Sequence, residues 1–335
     1  MVTATAFDML PWVEKYRPKV TADIVGNENL VSKLRAIASQ GNIPNLLLCG
    51  PPGVGKTTSI LCLVNELLGP ELAKEAVLEL NASDDRGIDV VRHRIKAFAT
   101  KRVNLPPGRH KIVILDEADA MISGAQQALR RIMEQHSATT RFALACNISN
   151  KIIEPIQSRC AILRFMRLQE EEIRDRLRRI AEAEGVTIEA SGYEALLFIA
   201  DGDMRQAING LQATVTAFGS VVTSELIYRI CEQPHPQVLK RIILEGCLHG
   251  DIDASVAGLD ELLVKLGYAP VDLITALFRV VRSLNQKEHG ISEDLQFEYL
   301  RTIGDYHVRI LQGCATRVQM VGLMASLCRL KQSTK

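Results

Sequence analysis

No run of eighteen apolar residues occurs in the 335-residue chain, which excludes a helix spanning a bilayer. The opening stretch, Met1 to Pro18, lacks a basic segment followed by an apolar one, so no secretory leader is expected and the chain reads as intracellular. No CxxC pair and no Cys/His cluster with zinc spacing is present. The eight cysteines stand singly, several inside apolar runs, and read as reduced, mostly buried thiols. Internal repeats and low-complexity tracts are also missing. Acidic residues are absent from Val90 through Leu115, a stretch that carries Arg92, Arg94, Lys96, Lys101, Arg102, Arg109 and Lys111. Such a stretch is either a solvated helix face or a surface for phosphates.

What is present is ordinary in bulk. The chain is 47% apolar and 24% charged, with a net charge of +1, so overall charge names no partner. Its length calls for two or three domains. The first half alternates apolar runs (residues 45–49, 76–80, 111–115, 141–146 and 160–165) with helical patterns such as 57–68, 88–100 and 124–135. Runs without polar alternation, separated by helices, predict a parallel sheet covered on both faces. After about Arg167 the pattern turns helical (170–184, 192–200, 204–218), with no convincing strand. Pro234 and Pro236 mark a boundary, and four or five more helices are expected over 237–331.

Gly50-Pro51-Pro52-Gly53-Val54-Gly55-Lys56-Thr57 fits GxxxxGK[ST] and lies between a predicted strand and a helix. Its glycines let successive backbone N–H groups face phosphates, and the helix adds its positive end. Lys56 supplies a point charge, and Thr57 supplies a hard oxygen for Mg²⁺. Ile112 to Leu115 runs into Asp116 and Glu117, carboxylates at the edge where open α/β sheets bind ligands. Asp116 is expected to hold the Mg²⁺ shell and Glu117 to activate the attacking water. The tetrapeptide Asp116-Glu117-Ala118-Asp119 invites a helicase reading, but the helical second half offers no second nucleotide-binding core.

Further strings carry a resemblance. They are Trp12-Val13-Glu14-Lys15-Tyr16-Arg17-Pro18, Glu79 through Gly87, Asn147 at a strand's end, Ser158-Arg159-Cys160, and Gly202-Asp203-Met204-Arg205-Gln206-Ala207. With the phosphate loop, they resemble the AAA+ clamp loaders, specifically the small subunits of eukaryotic replication factor C. The likeness is dense up to about Pro236 and rests on helical character beyond.

The resemblance implies an α/β RecA-like AAA+ domain over 1–165, a helical lid over 166–233 and an all-α collar that oligomerises over 234–335. It implies a nuclear, DNA- and clamp-stimulated ATPase within a heteropentamer, with other replication factor C subunits, the sliding clamp and primer–template DNA as partners. Alternative large subunits of checkpoint and cohesion loaders are further possible partners, and no membrane is involved. The cofactors implied are ATP and Mg²⁺.

Residue by residue, the likeness places Val13, Arg17 and Val25 around adenine, although Trp12 and Val13 suit simple apolar packing equally well. The phosphate loop through Thr58 binds ATP. Asn147 matches the first sensor, where its own sequence position suits a turn equally well, and Arg205 matches the second. Arg159 matches an arginine that enters the neighbouring subunit's site; otherwise it is a surface arginine capping carbonyls. Arg86, Arg92 and Lys151 match phosphate contacts to DNA. Phe98, Val103 and Leu105 lie in the segment that touches the clamp, although Phe98 suits packing on Val91 and Ile95 as well. The rival function is a structural or regulatory subunit that binds ATP with little turnover. An archaeal small subunit or an initiator ATPase is a third, weaker reading.

Overall fold

Strands that are apolar at every position need cover on both faces, and the sheet has it. The computed structural model describes residues 10–83, 89, 91–231, 233–284 and 289–333. Five parallel strands, β1 (Leu46–Cys49), β2 (Val77–Asn81), β3 (Lys111–Asp116), β4 (Thr140–Cys146) and β5 (Ala161–Arg164), lie in the order β2-β3-β4-β1-β5. Successive side chains of a strand point to opposite faces. Val113, Leu115, Phe142 and Leu144 therefore pack with Leu129, Ile132 and Met133 of the helix Ser123–Gln135. Ile112, Ile114, Ala143 and Ala145 pack on the other face with Ile60, Leu63, Val64 and Leu67. β2 and β5 are the sheet edges, and Ile162 of β5 is correspondingly exposed.

The helix after the phosphate loop runs from Lys56 to Ala76, broken at Gly69 (φ 73°). A left-handed glycine followed by Pro70 ends one helix and starts the next, so the predicted stop at Leu68 marks a real break. The expected helix over 88–100 is realised as a π-type turn at Val91–Ile95 and an α-helix at Lys96–Thr100; residues 88 and 90 lie outside the described residues.

Beyond β5 come the helices Glu170–Glu184, Ala190–Ala200 and Met204–Phe218. The first has a reciprocal capping box between Gln169 and Glu172. Asp203 caps the third by accepting from Gln206 N at 3.0 Å. The expectation of no strand here is corrected: Thr187–Ile188 pairs in parallel with Val221–Val222. A two-residue strand leaves too short a pattern to read in sequence.

Compactness divides the chain into residues 1–222 and 223–335. The second unit holds the helices Ser224–Ile230, Pro236–Arg241, Ile252–Asp260, Pro270–Ser283, Glu293–Leu311 and Arg317–Ser333. Pro236 opens a helix, occupying a first-turn position whose N–H needs no partner. The His235 ring nitrogen Nδ1 caps that helix by accepting from Gln237 N. Arg317 pairs Asp260 through two hydrogen bonds, each of 2.6 Å.

Candidate nucleotide site

The strand order decides what meets. β4 lies between β1 and β3, so the loop after β1, the end of β4 and the end of β3 share one edge of the sheet. Lys56 is 9% exposed, and its Nζ donates to Gly50 O (2.8 Å), Pro51 O (2.7 Å) and Asn147 Oδ1 (2.9 Å), one acceptor for each of its hydrogens. Burial pushes its pKa below the usual lysine value, and nearby Asp116 pulls it back up.

Thr57 Oγ1 donates to Asp116 Oδ2 at 2.8 Å, while Asp116 Oδ1 accepts from Glu117 N at 2.9 Å. Glu117 holds a left-handed backbone (φ 50°), a conformation that costs a non-glycine residue about 1 kcal/mol or more and gathers at functional sites. Asp119 Oδ2 accepts from Ile148 N, which fixes the chain leaving β4.

The N-terminal segment and the lid helices complete a cleft. Val13, Arg17 and Val25 line it together with the phosphate loop, Asp116, Glu117, Asn147 and Arg205. Arg17 Nε donates to Thr58 Oγ1 at 3.2 Å. Met204 N donates to Gly53 O at 3.2 Å, and a Cβ added at Gly53 would lie 1.7 Å from Asp203 Oδ1. Gly53 is thus required for the close approach of the lid cap as well as for its own left-handed φ of 66°.

Arg159, Lys151, Phe98, Val103 and Leu105 fall outside this cleft. Arg159 donates from Nη1 to Pro155 O (2.7 Å), and its Nη2 pairs with Glu134 Oε1 at 2.6 Å on the helix Ser123–Gln135. Lys151 is exposed, and its carbonyl is held by Gln126 Nε2 at 3.0 Å. Arg86 and the side chain of Arg92 lie outside the described residues. Phe98 is half-buried against the core that contains Ile95 and Ala99, while Val103 and Leu105 pack half-buried on the opposite core.

One member of the basic stretch leaves the surface altogether. Lys111 is 4% exposed and donates to the carbonyls of Phe98, Ala99 and Lys101, closing the helix Lys96–Thr100 at its C-terminal end. Sequence reading also missed Gln126, whose buried amide joins Met121 O, Lys151 O and Ile153 N. No local pattern marks it, because two of its partners are backbone atoms of the loop after β4.

Thr57 Oγ1 and Asp116 Oδ2 suit a hard octahedral cation. Oxygens at about 2.1 Å from such an ion sit about 3 Å from each other, close to the spacing found here.

The chain matches a family model for the AAA family of ATPases over residues 46–168 and one for the replication factor C C-terminal domain over 234–326. It is 55% identical to replication factor C subunit 2 of Arabidopsis thaliana, covering 97% of this chain and 95% of that one. Identity is also 55% to replication factor C subunit 4 of Schizosaccharomyces pombe, covering 97% and 92%. The solved structure of the branch-migration motor RuvB of Thermotoga maritima is similar at a TM-score of 0.53 and 20% identity, over 76% of this chain and 92% of that one. That likeness speaks for the fold alone. With near-complete coverage at such identity, this chain belongs to the replication factor C small subunits, clamp-loader members of the AAA+ ATPases.

Proposed function

We propose that this chain is the ATP-hydrolysing small subunit of a heteropentameric clamp loader, opening the sliding clamp and loading it on primer–template DNA in the nucleus. The observation that carries the reading is the pair of bonds Lys56–Asn147 and Thr57–Asp116, which ties the ends of β1, β4 and β3 into one phosphate-facing edge. The loop N–H groups and Lys56 cradle the triphosphate. Thr57 and Asp116 would hold Mg²⁺, which would neutralise phosphate charge when bound. Glu117 takes the proton of the attacking water. Asn147, with its oxygen given to Lys56, offers its amide hydrogens to the γ-phosphate or that water. Arg205 reaches the phosphates from the lid.

Arg159 serves the neighbouring subunit's site, a reading supported by its position outside the cleft of its own chain. Arg86, Arg92 and Lys151 meet DNA phosphates without reading sequence. Clamp contact falls to the exposed rims of Phe98, Val103 and Leu105. We retain the three-domain division at 165 and 233, with the last domain as the oligomerising collar, and shared use by checkpoint and cohesion loaders. The alternative of a low-turnover subunit is not favoured, because Lys56, Asp116, Glu117 and Asn147 are all present.

The test is reconstitution with the other subunits, clamp and primed DNA. ATP hydrolysis should rise when both clamp and DNA are added. Ala at Arg86, Arg92 and Lys151 together should weaken DNA binding alike for unrelated sequences and reduce the salt slope by roughly one per residue. Unchanged affinity across a salt titration would return these residues to a solvated face.

A further inference from the structure

The helix Trp12–Lys15 is four residues long and has no fully buried residue, with Trp12 and Val13 half-buried. Polar contacts add to that packing, and they divide at Tyr16. On the N-terminal side, contacts reach the lid. Trp12 N donates to Gln212 Oε1 at 2.9 Å, Lys15 Nζ pairs with Glu184 Oε1 at 2.8 Å, and Tyr16 OH donates to the same oxygen at 2.5 Å. Arg176 of the lid donates to the carbonyl of Tyr16.

On the C-terminal side the contacts reach the helix that follows the phosphate loop. Arg17 Nε meets Thr58, Cys62 Sγ meets Pro18 O at 3.2 Å, and Thr21 N meets Glu66 Oε1 at 2.6 Å. The segment is a strap with one end on the lid and the other on the sheet domain. Val13 rides on the lid end and Arg17 on the sheet end, and both line the cleft together with Val25.

We infer that Glu184 is a positioning residue for the base pocket: by gripping Lys15 and Tyr16 it sets Val13 against Arg17 and Val25, so the lid's position is felt at the adenine as well as at the phosphates. This rests on the reading of Val13, Arg17 and Val25 as the base pocket. Glu184 is suited to the task because one oxygen accepts from two donors, and the Lys15 and Glu184 side chains are only 16% and 18% exposed. An ion pair so shielded is screened less than a surface pair. Burial, together with the carboxylate itself, raises Tyr16 to about 12, so the phenol stays a donor at every working pH.

The test compares ATP with inorganic tripolyphosphate, each with Mg²⁺, by titration calorimetry on the full chain. Glu184→Ala should weaken ATP about tenfold, the worth of hydrogen bonds to a charged group, and leave tripolyphosphate affinity unchanged. Tyr16→Phe, which keeps the ring, should move ATP in the same direction by less, and carries the test if Glu184→Ala does not fold. Combining the two should add less than the sum of their effects. Equal weakening of both ligands, or unchanged ATP binding, would overturn the assignment. If the unaltered chain fails to prefer ATP over tripolyphosphate, the base-pocket reading itself falls and the role of Glu184 falls with it.

Discussion

The hydroxyl of Thr57 lies 2.8 Å from Oδ2 of Asp116, although the two residues are 59 positions apart in the chain. Two hard oxygens held this close bind one cation between them or bind each other. Thr57→Val and Asp116→Asn should therefore each abolish the gain in ATP affinity that Mg²⁺ gives, by roughly tenfold. Binding measured in a chelator should stay as in the unaltered chain. A variant that still responds to Mg²⁺ would remove its residue from the cation's shell.

Lys56 and Glu117 separate binding from chemistry. Lys56→Ala removes the cation of the loop and should weaken ATP on the order of 10- to 100-fold. Glu117→Gln should bind ATP normally and lose hydrolysis by about 10²- to 10⁴-fold, the contribution of a general base. Fluorescent-ATP titration alongside single-turnover hydrolysis reads both. Equal ATP affinity of Lys56→Ala and the unaltered chain would end this reading of the loop.

For Arg159 the defect should appear in a different subunit from the substitution. Arg159→Ala should leave ATP binding by its own chain near normal and slow hydrolysis at the adjoining site by roughly 10³-fold or more. In mixed complexes, replacing the neighbour's phosphate-loop lysine as well should add little. Fully additive losses would show that the two residues serve different sites.

The half-buried His110 gives a pH signature. Burial and the adjacent Arg141 guanidinium hold it below its ordinary value, and its Nδ1 has no hydrogen-bond partner. The folded chain therefore keeps this imidazole neutral in a range where the unfolded chain takes up a proton. Stability from this group is complete above the ordinary histidine value of 6.5 and drains away as pH falls from there toward the lowered folded value. His235, also held low by burial, acts in the same sense. Melting temperatures from pH 8 to 5 should fall less steeply in His110→Gln than in the unaltered chain. Identical slopes would remove His110 from the account.

Local chemistry was legible where the determinants are contiguous. The phosphate loop, the acidic pair after β3 and the exact bounds of Glu170–Glu184 and Met204–Phe218 all stand in runs that carry their own caps and periodicity. What stayed hidden depends on which segments meet. Nothing local distinguishes Lys111 from Lys101, yet Lys111 opens β3 beneath a helix end and turns inward to three carbonyls. The glycine of the loop that the lid cap presses upon, and the Lys15–Tyr16–Glu184 grip, likewise need the third dimension. Asn147 was found by resemblance. Its reason is topological, since β4 lies between β1, which leads into the Lys56 loop, and β3, which ends in Asp116.

The bond between Arg159 and Glu134 has a consequence for the life of a subunit before it assembles. With Arg159 read as the residue given to a neighbour, a lone chain holds that guanidinium against a carboxylate oxygen that it shares with Arg130. An exposed pair of this kind is worth at most about 1 kcal/mol. A tie that weak places the side chain without resisting a partner's triphosphate. On that reading, Glu134 is a resting place for the cation until a neighbour presents its nucleotide.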